Sequence, residues 1–594
     1  MNDMKEQRET VEAPKKIGGG TEHTGYPSID KPWLKYYQGQ ESNANLEGNS
    51  VYTNIYNNNQ TNLDDVAIIY YGRKITFREI FEQIEKTKNA LVAQGIKYND
   101  KVILYVSATP ETVYTILALC RIGAVADMLN PLFTDEQCIA RINETESELL
   151  IALDKLYGKI ENVIPKTSIK RTVIMPVNQS MPTLPRLFAG ISKKPKRRDC
   201  VITWAEFINT QATPSADAPY EKDHALVMVY STGTTGASKG IVLTNDGINA
   251  TTRHYINPDF PLLRGDKFLQ VVPVWFSTGI VLSVLMPLCL SKTVILEPAF
   301  SGENFARDLK RYNPDITLNS VSGWLYVAKK YEHKKVNLSN MRYPFSGGEK
   351  TLPRVEAAMN KFLKEHGSDA RFLTAYGMCE LGSTITTDSY NHHKCGAAGY
   401  PMTDVIVSAF NMETNKECKY GERGELRVYS PARMKEYFKN PRATEEFFWT
   451  DDVGRTWGCT GDIGYVDSDG FVYVCGRVKD HFIRENGDIV YLFDIEDKIL
   501  EEETVSQCKV IDIHESDKIK LIAHIVFNDD TENIDARLSA IYRHLSETLP
   551  DYMRPDYIKI RESMPVSRNG KRNLRALRED RDDLIIYEEI GKRN

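Results

Sequence analysis

From Val66 onward, short apolar runs alternate with stretches of helical periodicity. VAIIYY at 66–71 predicts a buried strand, and ITFREIFEQIEKTKNALVAQG at 75–95 has apolar residues at helical spacing before a closing glycine. KVILYVS, ETVYTILALCRIGA and VADMLNP then predict a strand, a helix and another strand. Repeated strand–helix–strand units predict a mostly parallel sheet with helices on both faces.

The pattern becomes antiparallel near Gly421. GERGELRVYS and GDIGYVDSDGFVYVCGR alternate apolar and polar positions, and Asp469-Gly470 predicts a hairpin turn. The charged remainder of the chain predicts a small α+β unit, whereas the polar N-terminus with its Gly-Gly-Gly break predicts a loose leader. We therefore expect a leader at 1–50, a large domain at 51–476 and a C-terminal domain at 477–594.

Composition excludes several classes of protein. The chain has 594 residues, too many for one core, and a net charge of -6 argues against a nucleic-acid binder. The basic run KKPKRR at 193–198 and the NHHK sequence at 391–394 are interpreted as solvated loops without a metal. The longest apolar run, 279–290, is too short to span a membrane, and ten cysteines without a C-x-x-C pair indicate reduced thiols in the cytoplasm.

The candidate chemistry begins at YSTGTTGASKG, residues 230–240. ALVMVYS predicts a buried strand that enters this loop, and NDGINATTRHY predicts a helix after it. A strand, a glycine loop and a helix together aim backbone N–H groups at an anion, so a phosphate is the candidate ligand. The loop departs from G-x-x-x-x-G-K-[ST] around Lys239, and taken alone it is also compatible with a flexible surface loop.

Asp462 and Arg477 form a second candidate site. They lie at nearly equal distances from the Asp469-Gly470 turn, so the hairpin should bring them side by side at its open end. Such a pair is able to bind a ribose diol, and it is equally compatible with an exposed ion pair.

YSTGTTGASKG resembles the glycine-rich loop of the adenylate-forming superfamily, which includes acyl-CoA synthetases, adenylation domains of nonribosomal peptide synthetases and firefly-type luciferases. Further matches follow in the family's order over about residues 66–577, and they are FSGGEK, AYGMCE, CTGD, GRVKD and MPVSRNGK. The resemblance implies an α/β fold class. The implied fold has a large N-terminal domain of layered, mostly parallel sheets with helices and a small antiparallel β part. A small mobile α+β lid follows this domain.

The resemblance also implies roles for single residues. Lys239 and the glycine loop would grip the β- and γ-phosphates, Glu380 would hold Mg²⁺, and Tyr376 would stack on adenine. The nucleotide-binding residues implied are Ser231, Thr232, Gly233, Thr234, Thr235, Gly236, Gly348, Glu349, Tyr376, Cys379, Asp462 and Arg477.

In the lid, the resemblance makes Lys571 a catalytic residue together with Lys239 and Glu380. An ammonium group that bridges the attacking carboxylate and the α-phosphate stabilises the charge of the transition state. The lid would turn about Lys479, and the segment around Gly487 would line a passage for the pantetheine of coenzyme A.

The implied acyl pocket begins at PVWFSTG and comprises Trp275, Phe276, Gly279, Gly347 and Gly377. No aspartate is present in that segment to pair with an α-ammonium group, so an apolar acid, fatty or aryl, is favoured over an amino acid.

The expected function is ATP- and Mg²⁺-dependent formation of an acyl-AMP, followed by transfer of the acyl group to coenzyme A. No carrier-domain serine motif follows Lys571, so a stand-alone enzyme that uses coenzyme A is expected. Loading of the acyl group onto a separate carrier protein is the alternative with the same chemistry. An inactive nucleotide-binding interaction module is the alternative from another class. It is suggested by departures from the family pattern at Ser238, Cys379, Glu436 and Asn573-Leu574, whereas Lys571 favours the enzyme.

Overall fold

The computed structural model describes residues 23–37, 46–183, 200–210, 215–231, 238–256, 259–483, 489–515, 518–528, 533–565 and 573–592. Over these ranges the chain forms two large mixed sheets, a smaller antiparallel sheet and a C-terminal α+β domain. No helix in this part of the chain combines the length and the apolar character needed to cross a membrane.

The largest sheet is parallel in its centre and antiparallel at both edges. Its nine strands, in spatial order, are Tyr400–Pro401, Thr386–Thr387, Leu373–Tyr376, Tyr343–Gly347, Ile316–Asn319, Lys267–Gln270, Thr293–Leu296, Val66–Tyr70 and Arg73–Thr76. Its central strands are buried on both faces, which explains their nearly continuous apolar sequences.

The second sheet packs beside it and holds the glycine loop. Its eight strands are Glu436–Tyr437, Gly240–Thr244, Ala225–Tyr230, Val125–Met128, Lys101–Tyr105, Leu149–Leu153, Arg171–Met175 and Val201–Thr203. The expected order of strand, glycine loop and helix is wrong here, because Gly240–Thr244 is a strand that pairs antiparallel with Ala225–Tyr230. The run IVLT has the β-branched, buried residues of a strand, so the loop joins two strands and the helix begins only at Asn245.

Helices cover the sheets, and local caps mark several of their ends. Thr76 and Glu79 form the capping box of the helix Phe77–Ala93, and Gly123 ends another helix in the left-handed conformation. The α-helices of the large domain are Pro27–Asp30, Val51–Asn59, Phe77–Ala93, Pro110–Ile122, Asp135–Thr145, Asp154–Ile160, Trp204–Ile208, Asn245–His254, Met286–Cys289, Gly302–Tyr312, Val321–Tyr331, Pro353–Glu365 and Pro441–Phe447. Thr278–Leu285 is a π-helix, and Pro32–Tyr37, Ile164–Lys166 and Cys379–Leu381 are 3₁₀ turns.

The antiparallel part contains the predicted hairpin. Its strands are Ile406–Phe410, Gly424–Tyr429, Thr456–Val466, Phe448–Thr450 and Val472–Arg477. Gly470 has a φ of +95°, so the turn falls at Asp469-Gly470 as predicted.

The C-terminal domain is a separate α+β unit, as expected. It contains the strands His481–Ile483, Ile489–Tyr491, Val505–Glu515, Lys518–Phe527, Tyr557–Ile560 and Ile585–Ile586, the helices Leu492–Leu500, Ile534–Thr548, Leu574–Glu579 and Tyr587–Lys592, and the 3₁₀ turn Asp551–Met553. Its buried apolar side chains form a core of their own.

Part of the predicted leader is packed against the large domain. The Trp33 side chain is only 1% exposed and belongs to an aromatic cluster with Tyr400 and Phe471. Lys35 pairs with Asp469 at the hairpin tip at 2.8 Å. For residues 23–37 the expectation of a loose leader is therefore wrong, because aromatic residues within a polar segment find a buried surface.

The NHHK sequence is also less solvated than predicted. The His393 side chain is 10% exposed and lies between two carboxylates, with Nε2 2.8 Å from Glu356 and Nδ1 3.2 Å from Asp388. Hydrogen bonding to these carboxylates raises the pKa of His393 to about 9. The imidazolium therefore joins the Pro353–Glu365 helix to the loop after the strand Thr386–Thr387.

Replacing His393 with glutamine is expected to lower the melting temperature at about pH 6 and to change it little at about pH 10. Because the pKa of His393 is higher in the folded than in the unfolded state, its protonation stabilises the folded protein. This stabilisation is complete below the unfolded-state pKa of about 6.5 and is lost as pH rises through about 9. It amounts to about 2 kcal/mol after allowance for partial exposure. Melting curves of the wild type, the variant and the exposed-site control His333→Gln at both pH values test this, and an equal deficit at both would contradict it.

Candidate active site

The residues of the candidate site meet at one edge of the largest sheet. The strands Lys267–Gln270, Ile316–Asn319, Tyr343–Gly347 and Leu373–Tyr376 are parallel neighbours. PVWFSTG, FSGGEK and AYGMCE each lie at the carboxyl end of one of them. Carboxyl ends of parallel strands form the crevice in which α/β proteins bind their ligands, so the topology brings these three sequences together.

Glu380 and Lys239 both contact Tyr437. The Tyr437 hydroxyl donates a hydrogen bond of 2.9 Å to Glu380 Oε1, and Lys239 Nζ lies 4.5 Å from the centre of the Tyr437 ring. Burial and the neighbouring Glu380 carboxylate raise the pKa of Tyr437, so its hydroxyl remains a donor. Tyr437 thus holds the cation and the carboxylate of the site in a fixed relation.

Tyr437 was not predicted from the sequence to belong to the site. It occupies the two-residue edge strand Glu436–Tyr437. This strand pairs with Gly240–Thr244, the strand that begins directly after Lys239. The Glu380 backbone carbonyl also accepts a hydrogen bond of 2.7 Å from Met434 N. The only sequence signal was the aromatic residue next to Glu436, and it does not reveal a pairing with a strand nearly two hundred residues earlier.

Tyr376, Asp462 and Arg477 form a second group. The predicted meeting of Asp462 and Arg477 is confirmed, since they are cross-strand partners with Arg477 Nε 3.0 Å from Asp462 Oδ1. The Tyr376 hydroxyl donates to Asp462 Oδ2 at 2.6 Å. Burial raises the pKa of Asp462, although Arg477 and Tyr376 act in the opposite direction. Arg477 is largely exposed whereas Asp462 is buried, so the pair has an accessible side.

The base of the glycine loop is closed by its two ends. Ser231 N donates to Lys239 O, and Lys239 N donates to Ser231 Oγ, each at 2.9 Å. Between these ends the predicted residues Thr232, Gly233, Thr234, Thr235 and Gly236 lie outside the described residues. Lys571 and Gly487 also lie outside them.

The remaining predicted nucleotide residues flank the same strand ends. Cys379 is half-buried at the start of the 3₁₀ turn that also contains Glu380. Gly348 has a φ of +79° and open space at its Cβ position. The Glu349 carboxylate accepts hydrogen bonds of 3.1 Å from both the amide and the hydroxyl of Ser322, so it faces the Val321–Tyr331 helix.

The predicted acyl segment is tightly folded. Trp275 and Phe276 are half-buried, and Phe276 N donates to Pro273 O at 3.1 Å. A Cβ at Gly279 would lie 2.0 Å from Pro273 O, and one at Gly377 would lie 1.7 Å from Ser383 O, so neither position accepts a side chain. Gly347 is less constrained, since a Cβ there would lie 3.1 Å from Ala375 O.

An apolar cavity of about 20 Å³ lies beside this segment. Its lining residues come from strands of the candidate sheet, from neighbouring helices and from the segment before the strand Lys267–Gln270, and they are Tyr255, Phe260, Leu262, Phe268, Leu282, Met286, Ile316, Leu318, Phe345 and Ala375. The volume suffices for about one water molecule, so a bound acyl group requires these side chains to move apart.

The C-terminal domain contacts the large domain close to the predicted nucleotide-binding residues. Lys350, next to Glu349, lies 2.7 Å from Asp497, and Arg423 donates to Asp494 at 2.9 Å. The Arg354 guanidinium donates to three backbone carbonyls at and beyond the end of the Leu492–Leu500 helix. Lys479 is exposed in the turn between the two domains, a position compatible with a hinge.

Comparison with known proteins agrees with this architecture. Residues 56–438 match the family model described as AMP-binding enzyme, and residues 494–571 match that of the AMP-binding enzyme C-terminal domain. The chain is 25% identical over 567 residues to a long-chain-fatty-acid–CoA ligase of Bacillus subtilis, covering 93% of this chain and 98% of the relative. An acetyl-coenzyme A synthetase of Deinococcus radiodurans is 25% identical over 574 residues, covering 92% of this chain and 86% of the relative.

A solved structure of the anthranilate CoA ligase AuaEII in complex with anthranoyl-AMP has the same fold. It superposes with a TM-score of 0.76 at 20% identity, covering 91% of this chain and 98% of that protein. The first family model alone spans more than half of the chain, and the second follows it in order. The chain therefore belongs to the AMP-binding enzymes, the adenylate-forming family of AMP-forming acid–CoA ligases.

Proposed function

We propose that this protein activates an apolar carboxylic acid, fatty or aryl, with ATP to form an acyl-AMP and pyrophosphate, and then transfers the acyl group to coenzyme A. The observation that carries the proposal is the arrangement of two groups at one edge of the sheet. Lys239, Tyr437 and Glu380 offer a cation and a carboxylate to phosphates, and Tyr376, Asp462 and Arg477 offer a ring and polar groups to a nucleoside.

Within these groups, Lys239 would balance phosphate charge, and the exposed side of the Asp462–Arg477 pair would accept the ribose hydroxyls. Lys571 would stabilise the charge that develops between the acid and the α-phosphate. Lys479 would serve as the hinge that lets the C-terminal domain exchange Lys571 for the segment around Gly487 between the two half-reactions.

The residues present fit Mg²⁺ as an ion that arrives with ATP. Over the described ranges no cluster of three or more His, Cys, Asp or Glu side chains has the arrangement of a metal site. Mg²⁺ commonly binds through one or two carboxylates together with substrate phosphates. Glu380 is such a carboxylate, and Tyr437 bonds to only one of its two oxygens. Bound there, the ion would neutralise phosphate charge.

The cavity supports an apolar acid. Among the described residues its lining contains no charged side chain, and the one hydroxyl there, that of Tyr255, is paired with Thr384 at 3.0 Å. An ammonium group or second carboxylate on the acid would therefore be buried without a partner of opposite charge. The cytoplasmic location predicted from the cysteine content is compatible with such an enzyme.

The test is to incubate the purified protein with ATP, Mg²⁺ and a panel of fatty, aryl and amino acids, with and without coenzyme A, and to follow the products by mass spectrometry. Acyl-CoA formed from an apolar acid only when coenzyme A is present supports the proposal. Acyl-AMP that accumulates in the presence of coenzyme A points to a carrier protein as acceptor. Absence of pyrophosphate over the whole panel would favour the nucleotide-binding interaction module.

Replacing Met286 with alanine is expected to shift the preference towards longer acids. Met286 lines the cavity and is 1% exposed, so the change removes several buried atoms and enlarges the space. We expect the ratio of kcat/KM for a longer acid to that for a shorter one to rise about tenfold. Met359→Ala, which truncates a buried methionine in a different core cluster, is the matched control. An unchanged ratio would show that the cavity does not hold the acyl group.

A further inference from the structure

Gln270 is a buried amide on the strand that contributes Phe268 to the cavity wall. It ends the strand Lys267–Gln270 and is 1% exposed. Phe268, two residues earlier, lines the cavity. Because side chains two apart on a strand share a face, Gln270 lies on the same face of the sheet as Phe268.

The register of the neighbouring strand gives the same position. Phe268 is paired with Ile316 and Leu269 with Thr317, so the next pair sets Gln270 beside Leu318. Ile316 and Leu318 both line the cavity, whereas Leu269 belongs to the core on the opposite face of the sheet. The Gln270 side chain therefore extends from the face that forms the cavity wall.

One end of the Gln270 amide is held and the other is free. Nε2 donates to the backbone carbonyl of Val272, which fixes the orientation of the amide because a carbonyl only accepts. Oε1 is buried and has no hydrogen-bond partner among the described residues. The Val272 carbonyl lies 2.7 Å from the Cβ position of Gly279, so the fixed amide adjoins the acyl segment.

A buried acceptor without a partner is costly, and a leucine or methionine would fill the same space without that cost. Such groups in native proteins call for an explanation, and a ligand donor is one that the location supplies. No charged side chain of the part of the chain that the structure describes lines the cavity, which disfavours an ammonium group as that donor.

We propose that Gln270 is a specificity-determining residue and that the preferred acid has a neutral hydrogen-bond donor, a hydroxyl or an aromatic amine, on its otherwise apolar body. This inference rests on the proposed function and makes its substrate class more specific. Gln270 Oε1 would accept the hydrogen bond from that donor. A site built around a substrate donor discriminates strongly against analogues that lack it, because the acceptor is then left unpaired.

The experiment compares matched acids that differ only in hydroxyl, amino, hydrogen or methyl at one position, on fatty and aryl skeletons. Rates of pyrophosphate release are measured for the wild type, Gln270→Met and the second variant Gln270→Leu. The wild type is expected to prefer a donor-bearing member by at least about tenfold in kcat/KM, and both variants are expected to bring that ratio close to one. Thr317→Val, which removes a buried hydroxyl that is already paired with Leu269 O, should keep the wild-type ratio.

Two outcomes overturn the inference while the proposed function stands. One is a wild type that uses unsubstituted acids and shows no preference within any pair. The other is a preference that Gln270→Met and Gln270→Leu both retain. The same pairs are also ranked by the shift in melting temperature that they cause with ATP. If only donor-bearing acids raise the melting temperature and no pyrophosphate is released, the proposed function is contradicted and the donor site is supported. If the acids are neither bound nor turned over, both the proposed function and the donor site are contradicted.

Discussion

Replacing Lys571 with alanine is expected to abolish acyl-AMP formation and to spare transfer of an acyl group from supplied acyl-adenylate to coenzyme A. The adenylation step brings a carboxylate to an α-phosphate, and an ammonium group between them stabilises the developing charge. We expect a loss of about 10²- to 10³-fold or more in pyrophosphate release. In the second half-reaction coenzyme A attacks an adenylate that has already formed, so the repulsion between a free carboxylate and a phosphate no longer has to be overcome.

The two half-reactions are measured separately, as pyrophosphate release without coenzyme A and as acyl-CoA formation from synthetic acyl-AMP. Arg575→Ala is the matched control, since Arg575 is an exposed basic residue a few positions away that pairs with Glu579 on the same helix. It should leave both rates near those of the wild type. An equal loss of both half-reaction rates in Lys571→Ala would contradict the proposal that Lys571 acts in the first half-reaction and not in the second.

The parts of the site that sequence analysis predicted correctly depend on local geometry. Asp462 and Arg477 are joined by one hairpin, and its turn is set by Asp469-Gly470. The strands close on Asp467 and Phe471 around a short turn, and one register shift between Ile463 and Gly464 sets Asp462 opposite Arg477. The cross-strand pairing therefore depends on this one hairpin and not on distant parts of the fold. The alternation of strands and helices in the large domain was predictable for a similar reason, because periodicity is a property of each segment.

Features that depend on distant segments were not predicted. Tyr437 joins the site through a two-residue strand that pairs with Gly240–Thr244, and a strand so short has no periodicity of its own. His393 is enclosed by Asp388 and by Glu356 on a different element. Trp33 is buried because a surface of Tyr400 and Phe471 is available to it. In each case tertiary contacts override the local polarity of the sequence.

The glycine loop is a case in which the predicted ligand and the predicted local structure have to be considered separately. Its residues indicated a phosphate site, but the accompanying model of a helix N-terminus aimed at the anion is wrong, since a strand follows the loop. In place of a helix N-terminus, the structure has the Lys239 ammonium group beside Tyr437 and a hydrogen bond between Ser231 and Lys239 that joins the ends of the loop. The charge on phosphate would then be balanced by a side chain more than by a helix dipole.

Replacing Glu380 with glutamine is expected to lower kcat/KM for acyl-AMP formation by about 10²- to 10³-fold, with partial recovery at high Mg²⁺ concentration. Glutamine has nearly the same shape, and its amide oxygen still accepts a hydrogen bond from Tyr437. The change removes the negative charge and replaces one carboxylate oxygen with an amide nitrogen. A neutral amide is a much poorer ligand for Mg²⁺ than a carboxylate. The measurement is pyrophosphate release as a function of Mg²⁺ at saturating ATP.

Tyr437→Phe separates the positioning of Glu380 from its charge. The variant loses the 2.9 Å hydrogen bond to Oε1 and keeps the ring 4.5 Å from Lys239 Nζ, so we expect a smaller loss of about tenfold. Glu436→Gln removes a carboxylate from the exposed neighbour on the same strand and should have little effect. A Glu380→Gln variant that keeps the wild-type dependence on Mg²⁺ would exclude Glu380 as the metal ligand. If Tyr437→Phe were as inactive as Glu380→Gln, the geometry of the carboxylate would matter as much as its charge.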